Sequence, residues 1–363
     1  LGERSSALHH VVSDSLLAGY RAHLVARFGG PSDLKVAYTP LHGVGGATMT
    51  RLFAEAGFAD VVVVAQQFTP DGTFPTLPFP NPEEPGALDP ATALGSSVGA
   101  DVVVANDPDA DRLGVAVRVG NGWRALAGDE IGWLLASFLL PQCVSGDVVA
   151  TSIVSSSMLE KMAAAAGVGY AQTLTGFKWV GRAAGSGRLA FGYEEALGYA
   201  VDSNVSDKDG MSAALAFCRL ATELRSQGRS VLDRLDELAL AHGVHAIGPV
   251  TVRAEGERGL AAIAETVERL AADPPARVGG VEVTEAADLS LGWRGLPPTS
   301  GVRWQLGETG RVVVRPSGTE PKLKAYVEVV TPVQPSLAEA RERAAATLAA
   351  VRDDVTSLTT VVL

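Results

Sequence analysis

The sequence predicts an α/β protein: two mixed, mostly parallel α/β/α sandwich domains followed by a smaller α+β C-terminal domain. Continuous apolar, β-branched runs alternate with helical patterns through the first two-thirds of the 363 residues, as strands of a parallel sheet covered on both faces require. That alternation restarts once. After His242 it gives way to short alternating segments between two helices. The boundaries fall near residues 122 and 245, giving domains over 1–122, 123–245 and 246–363.

The first domain opens with a helix over Ser13 to Phe28. Leu34 to Thr39 is a strand, then a glycine-rich turn leads into a helix over Ala47 to Gly57, its apolar positions at helical spacing and its last glycine a stop. Val61 to Ala65 and Asp101 to Ala105 are strands, with a short helix over Ala91 to Ser97 between them. The stretch Phe68 to Pro90 is an extended loop, because its prolines remove backbone donors and restrict the residues before them. In the second domain Gly128 to Leu140 and Ser156 to Ala166 are helices, and Asp147 to Ile153 and Leu189 to Gly192 are strands. Helices over Gly210 to Gln227 and Ser230 to His242 close that unit. The last domain has strands at Ile247 to Val252, Val278 to Val283 and Arg311 to Val314, with helices around Gly259 to Ala271 and Ser336 to Ala350.

Composition narrows the function. Hydrophobic residues make up 47% and charged residues 20%, so the chain buries a large core. A net charge of −11 without a basic cluster argues against nucleic acid as a partner. Cys143 and Cys218 are too few for a disulfide scaffold and lack metal-site spacing. No apolar run reaches the roughly 18 residues of a membrane span, and no secretion signal is visible. These features read as a soluble, cytoplasmic protein with no membrane partner.

The strongest chemical signal is Asn106-Asp107-Pro108-Asp109-Ala110-Asp111-Arg112, directly after a strand. Three carboxylates so close repel unless a cation or protons relieve them. Oxygen-only ligands suit a hard divalent ion such as Mg²⁺. An EF-hand fails, since Arg112 stands where it needs glycine and Arg118 where it needs glutamate; a solvated acidic turn is the plain alternative. Arg112 would offer a guanidinium fork to a phosphoryl group beside such a metal. The segment from Arg315 to Lys322, with Ser317, Gly318 and Thr319 inside it, has the makings of an anion cradle, an ordinary turn being its alternative. Glu194 and Glu195 lie between glycines at a strand end, and adjacent carboxylates can accept hydrogen bonds from the vicinal hydroxyls of a sugar. Lys178, in Thr175-Gly176-Phe177-Lys178-Trp179, could contact a phosphate or move a proton. The cluster Asp207-Lys208-Asp209-Gly210 reads as a helix cap. Pro40-Leu41-His42-Gly43-Val44-Gly45-Gly46 is not a dinucleotide fingerprint, because Thr48 replaces the third glycine. Its glycines permit tight packing or approach to a phosphate near the metal.

In this order the motifs Pro-Leu-His-Gly, Asn-Asp-Pro-Asp-Ala-Asp-Arg, Thr-Gly-Phe-Lys-Trp, Glu-Glu-Ala-Leu-Gly and Arg-Pro-Ser-Gly-Thr-Glu-Pro resemble the α-D-phosphohexomutases over essentially the whole chain. These are the phosphoglucomutases and phosphomannomutases, with a branch acting as phosphopentomutase. The resemblance implies a mutase reaction on phosphosugars, with glucose 1,6-bisphosphate as activator. It implies that Asp107, Asp109 and Asp111 hold Mg²⁺ and that Arg112 approaches a catalytic phosphoserine. Lys178 would lie near the reacting phosphosugar, Glu194 and Glu195 at its hydroxyls, and Arg315, Ser317, Gly318 and Thr319 on the non-reacting phosphate. It also implies a first domain carrying the phosphorylated serine in a Thr-x-Ser-His-Asn-Pro type loop. No such loop occurs here: Ser155, Ser156 and Ser157 lack the His-Asn. With Leu1 in place of a methionine, the expectation is domains two to four of the family. Ala196 stands where many hexomutases have serine, which keeps hexose and pentose substrates both open. A monomer or homodimer is expected, with a hinge near residue 245 so that the last domain can grip either end of a bisphosphate. A non-catalytic phosphosugar-binding protein is the rival reading.

Overall fold

The computed structural model describes residues 13–254, 256–317 and 321–360. Its described residues divide into two compact units, one within residues 1–126 and 209–229, the other within residues 127–208 and 230–363.

The first unit is built on a five-stranded sheet in the order Val61–Val63, Val36–Thr39, Val102–Ala105, Gly114–Val119, Gly122–Ala125. The first three strands are parallel and the last two antiparallel. Val36–Thr39 and Val102–Ala105 are buried at every position, as continuous apolar runs covered on both faces predict. The register sets Thr39 beside Ala105. The turns after these two strands therefore leave the sheet from neighbouring carboxyl ends, where open α/β sheets place ligands. Helices Asp14–Phe28, Gly46–Glu55 and Asp89–Val98 match the expected ones to within a turn. Residues 69–88 are turns, as the proline content requires.

Helix Gly210–Ser226, read from the sequence as closing the second domain, packs in space with the first unit. Arg219 explains why. Its guanidinium donates to the carbonyls of Phe28 (2.8 Å), Gly30 (2.5 Å) and Pro31 (3.2 Å), the unpaired end of helix Asp14–Phe28 and the chain leaving it. Ser32 and Thr222 share a hydroxyl hydrogen bond of 2.8 Å, and Arg225 pairs with Asp101. Apolar periodicity showed a buried helix but not which sheet buries it.

The second unit contains two sheets. The smaller runs in the order Gly169–Thr173, Asp147–Ser152, Arg188–Glu194, Gly198–Ala200. Its first three strands are parallel and its last two form an antiparallel hairpin. Helices Gly128–Leu139, Met158–Ala166 and Val231–His242 accompany it. Strand Gly169–Thr173 was not expected: it lies at the sheet edge and is only partly buried, so it has no continuous apolar run. The larger sheet is antiparallel, in the order Val244–Arg253, Lys322–Thr331, Gly310–Pro316, Val302–Gln305, Glu285–Asp288. Helices Gly256–Ala272 and Leu337–Leu358 cover one face, over a core that includes Trp304, Val312, Val314 and Val327. The opposite face meets the smaller-sheet half through Ile153, Val154, Leu174, Leu289 and Val313. Strand Val244–Arg253 begins one residue before 245, directly after Gly243 at φ 94°. Among the described residues, no helix is long and apolar enough to cross a membrane.

Candidate functional site

The aspartate loop leaves strand Val102–Ala105 in the first unit. Asn106, fully buried, shapes it: its amide donates to the Arg112 carbonyl (2.7 Å) and accepts from the Tyr38 hydroxyl (3.1 Å). Ala110 takes a left-handed conformation at φ 60°, rare for a residue with a Cβ and a mark of a constrained turn. Leu41 and His42, at φ 49° and 62°, do the same in the adjoining turn. That turn grips the loop, with the Val44 N–H donating to the Pro108 carbonyl at 2.9 Å. A Cβ on Gly43 would stand 2.4 Å from the Pro108 Cα, so this glycine serves tight packing. From the other side, the Gly210 N–H donates to the Ala110 carbonyl at 3.1 Å.

So held, Asp107, Asp109 and Asp111 bring one carboxylate oxygen each to within 4.8 Å of one another. Asp107 is buried, Asp111 half-buried and Asp109 exposed. Burial pushes the Asp107 carboxyl up to about 6; the Arg112 N–H, 2.9 Å away, opposes this, and the Asp111 and Asp109 charges add to it. The Arg112 guanidinium lies 3.5 Å from Asp107 and 3.9 Å from Asp111. An oxygen-only set with one arginine beside three carboxylates fits a hard divalent cation. These three residues are the ones that could hold it.

The second unit carries the other expected residues. Strand Arg188–Glu194 ends on Glu194, and the hairpin turn to Gly198–Ala200 contains Glu195 and Ala196, with Leu197 at φ 65°. The Glu194 carboxylate accepts the Gly176 N–H at 2.6 Å, from the loop that precedes Lys178. Gly176 sits at φ 106°, where a side chain would be strained. Burial pushes Glu194 up to about 7; Gly176 opposes it, Glu195 adds to it, and the Lys208 and Arg315 charges hold it back. Lys178 is exposed on the short helix Phe177–Val180, its Nζ 5.8 Å from the Trp179 ring centroid.

Arg315 lies near the end of strand Gly310–Pro316, and the Ser317 N–H donates to the Lys322 carbonyl at 2.8 Å. Gly318 and Thr319 lie outside the described residues. Arg315 pairs in register with Lys324, and Lys322 pairs with Arg253, so four cations line one face of that end of the sheet. Lys324 and Lys208 were not singled out from the sequence. Lys324 could have been found, since its strand alternates; Lys208 could not, since its motif reads as a cap. That reading holds for Asp209, which accepts the Met211 and Ser212 N–H groups at the start of Gly210–Ser226.

Comparison with known proteins identifies the family. The profile of phosphoglucomutase/phosphomannomutase α/β/α domain II matches residues 18–120, that of domain III residues 127–240, and that of the C-terminal domain residues 255–347. The chain is 39% identical over 322 residues to a "Probable phosphomannomutase" of Haemophilus influenzae, covering 88% of this chain and 64% of that protein. It is 36% identical over 324 residues to a "Probable phosphoribomutase" of Schizosaccharomyces pombe, covering 81% and 55%. A crystal structure of a phosphoglucomutase/phosphomannomutase family protein from Burkholderia thailandensis shares the fold, with a TM-score of 0.68 at 19% identity over 94% of this chain and 64% of that one. The chain thus spans between about half and two thirds of the length of the proteins it matches. With three family domains in order and identities of this size, the chain belongs to the phosphoglucomutase/phosphomannomutase family, the α-D-phosphohexomutases.

Proposed function

We propose that this chain is the metal-, sugar- and phosphate-binding part of a phosphosugar mutase. The reaction is transfer of a phosphoryl group between C1 and C6 of an aldohexose phosphate, through a phosphoserine supplied by an upstream domain and with glucose 1,6-bisphosphate as activator. The observation that carries the reading is the carboxylate triad, three oxygens within 4.8 Å on a loop clamped at a strand's carboxyl end. Asp107, Asp109 and Asp111 would hold Mg²⁺, which when bound supplies charge neutralisation at the transferring phosphoryl group. Arg112 would offer its guanidinium to the same group, and Lys178 would lie by the reacting phosphosugar. Glu194 and Glu195 would orient the sugar by its hydroxyls. Arg315, Ser317, Gly318 and Thr319 would hold the non-reacting phosphate. Positioning and charge stabilisation of this kind dominate phosphoryl transfer.

A pentose phosphate is the second reading, favoured by Ala196 in the sugar loop and supported by the likeness to a phosphoribomutase. A coupled assay of glucose 1-phosphate to glucose 6-phosphate conversion tests the proposal. It is run with Mg²⁺ and a trace of glucose 1,6-bisphosphate, on this chain and on the product of the full reading frame. The expected outcome is activity in the longer product alone. Turnover of ribose 1-phosphate in preference to glucose 1-phosphate would move the assignment to the pentose. Binding without turnover in both products would make this a phosphosugar-binding protein.

A further inference from the structure

The serine run Ser155-Ser156-Ser157 has no part in the functional reading so far. Ser155 and Ser156 are buried and Ser157 is half-buried, which leaves them poorly placed as phosphoryl acceptors. Their hydrogen bonds point elsewhere. The Ser155 hydroxyl donates to the Glu195 carboxylate (3.1 Å) and lies 3.1 Å from the Glu195 N–H, so it meets the sugar loop at side chain and backbone. Ser152 adds a longer contact to the same carboxylate oxygen, 3.4 Å. The Ser155 carbonyl accepts a hydrogen bond from the Arg311 guanidinium, which is ion-paired at 3.1 Å with Glu328. The other Glu328 oxygen accepts from the Ser156 hydroxyl (2.6 Å), the Ser157 N–H (2.8 Å) and the Ser157 hydroxyl (3.1 Å), and meets His245 Nδ1 at 2.8 Å. Arg311 and Glu328 pair in register across neighbouring strands. Both are nearly removed from water, at 5% and 4% exposure, where such contacts strengthen and their loss is costly.

Arg311 stands on the strand that carries Arg315, four residues on. One strand thus leads to Arg315 from this clasp of Arg311, Glu328 and the three serines, while Ser155 leads from it to the sugar loop. We propose that Ser155 is a positioning residue for Glu195, held by the Arg311–Glu328 pair, so that the sugar loop and the phosphate loop are set at a fixed spacing. Its functional part rests on the phosphosugar reading above; its structural part does not.

Amide hydrogen exchange on the whole chain tests the structural part. In Ser155→Ala, the segment 193–198 is expected to exchange at least tenfold faster, while strand Asp147–Ser152 keeps its protection. Glu328→Gln, which breaks the Arg311 pair without touching Glu195, is expected to loosen 193–198 as well; a purely local role for Ser155 would not move it. Full protection of 193–198 in either variant overturns the proposal. If Ser155→Ala does not fold, Glu328→Gln decides alone, with Ser155→Thr expected to restore protection by keeping the hydroxyl. Titration with glucose 1,6-bisphosphate tests the functional part. Tenfold or greater weakening in Ser155→Ala, with inorganic phosphate binding unchanged, supports it, and equal binding to both chains overturns it. A wild-type chain that does not bind the bisphosphate would overturn the sugar-site reading, and the exchange result would still decide the clasp.

Discussion

Asp107 is the carboxylate of its triad that is removed from water, and its charge is therefore the one most sensitive to a bound cation. Its carboxyl is raised from an ordinary 3.8 to about 6, chiefly by burial. Between those values the folded chain keeps a proton that the unfolded chain has released, so without metal this group costs stability as pH rises through the window. A divalent ion needs the ionised form. Mg²⁺ affinity should therefore climb from pH 5 to 7, and added Mg²⁺ should raise the melting temperature more at pH 7 than at pH 5. Asp107→Asn should abolish most of the binding and flatten the metal-free stability between pH 4 and 6. Calorimetric titration and thermal unfolding check this, and pH-independent Mg²⁺ binding would contradict it. At this scale the sequence draws attention to short runs dense in chemistry, Asp107 to Arg112 and Glu194-Glu195. It says nothing of Glu328 and only rules Ser155 out as a phosphoserine, because one buried carboxylate in an alternating strand and one serine among three acquire meaning only from what packs against them.

The helix Gly210–Ser226 shows how an element far along the chain packs against the aspartate loop. Its N-cap, Asp209, also accepts the Tyr20 hydroxyl at 2.8 Å, tying it to helix Asp14–Phe28 of the same unit. Its first residue has no room for a side chain: a Cβ on Gly210 would stand 2.1 Å from the Arg112 carbonyl and 2.8 Å from that of Ala110. Asp209→Ala should cost about 1–2 kcal/mol of stability, as loss of an N-cap does. Gly210→Ala should displace the loop between Ala110 and Arg112 and weaken Mn²⁺ binding at least tenfold. Metal titration beside thermal unfolding separates the two, and wild-type Mn²⁺ affinity in Gly210→Ala would show that the clamp does not set the site. Helix and strand positions were largely readable because burial on both faces leaves continuous apolar runs. The partner of this helix was not, since an apolar stripe records that a face is covered and not by what. Edge strands such as Gly169–Thr173 escaped for the converse reason, being too exposed to be apolar throughout.

At the scale of the whole chain, the sequence indicated the order of the three family domains, and contact packing regroups them into two compact units. The regrouping bears on how a bisphosphate would present first one phosphate and then the other. A hinge near residue 245 would let the C-terminal sheet follow the ligand. Here strand Val244–Arg253 starts one residue before that point, after Gly243 at φ 94°, and pairs along its length with Lys322–Thr331. His245 itself is buried against Glu328, beside the Trp133 ring at 6.1 Å between centroids. Opening at 245 would break the hydrogen bonds that Glu328 and Arg311 make to Ser155, Ser156 and Ser157, although the two charges would remain paired with each other. Reorientation of the sugar bisphosphate against a fixed C-terminal sheet carries no such cost. Saturating glucose 1,6-bisphosphate should therefore leave amide exchange at 155–158 and along Lys322–Thr331 as slow as in the free chain, with slowing confined to the sugar and phosphate loops. Faster exchange at 155–158 on ligand binding would mean that the clasp opens and that the hinge operates after all.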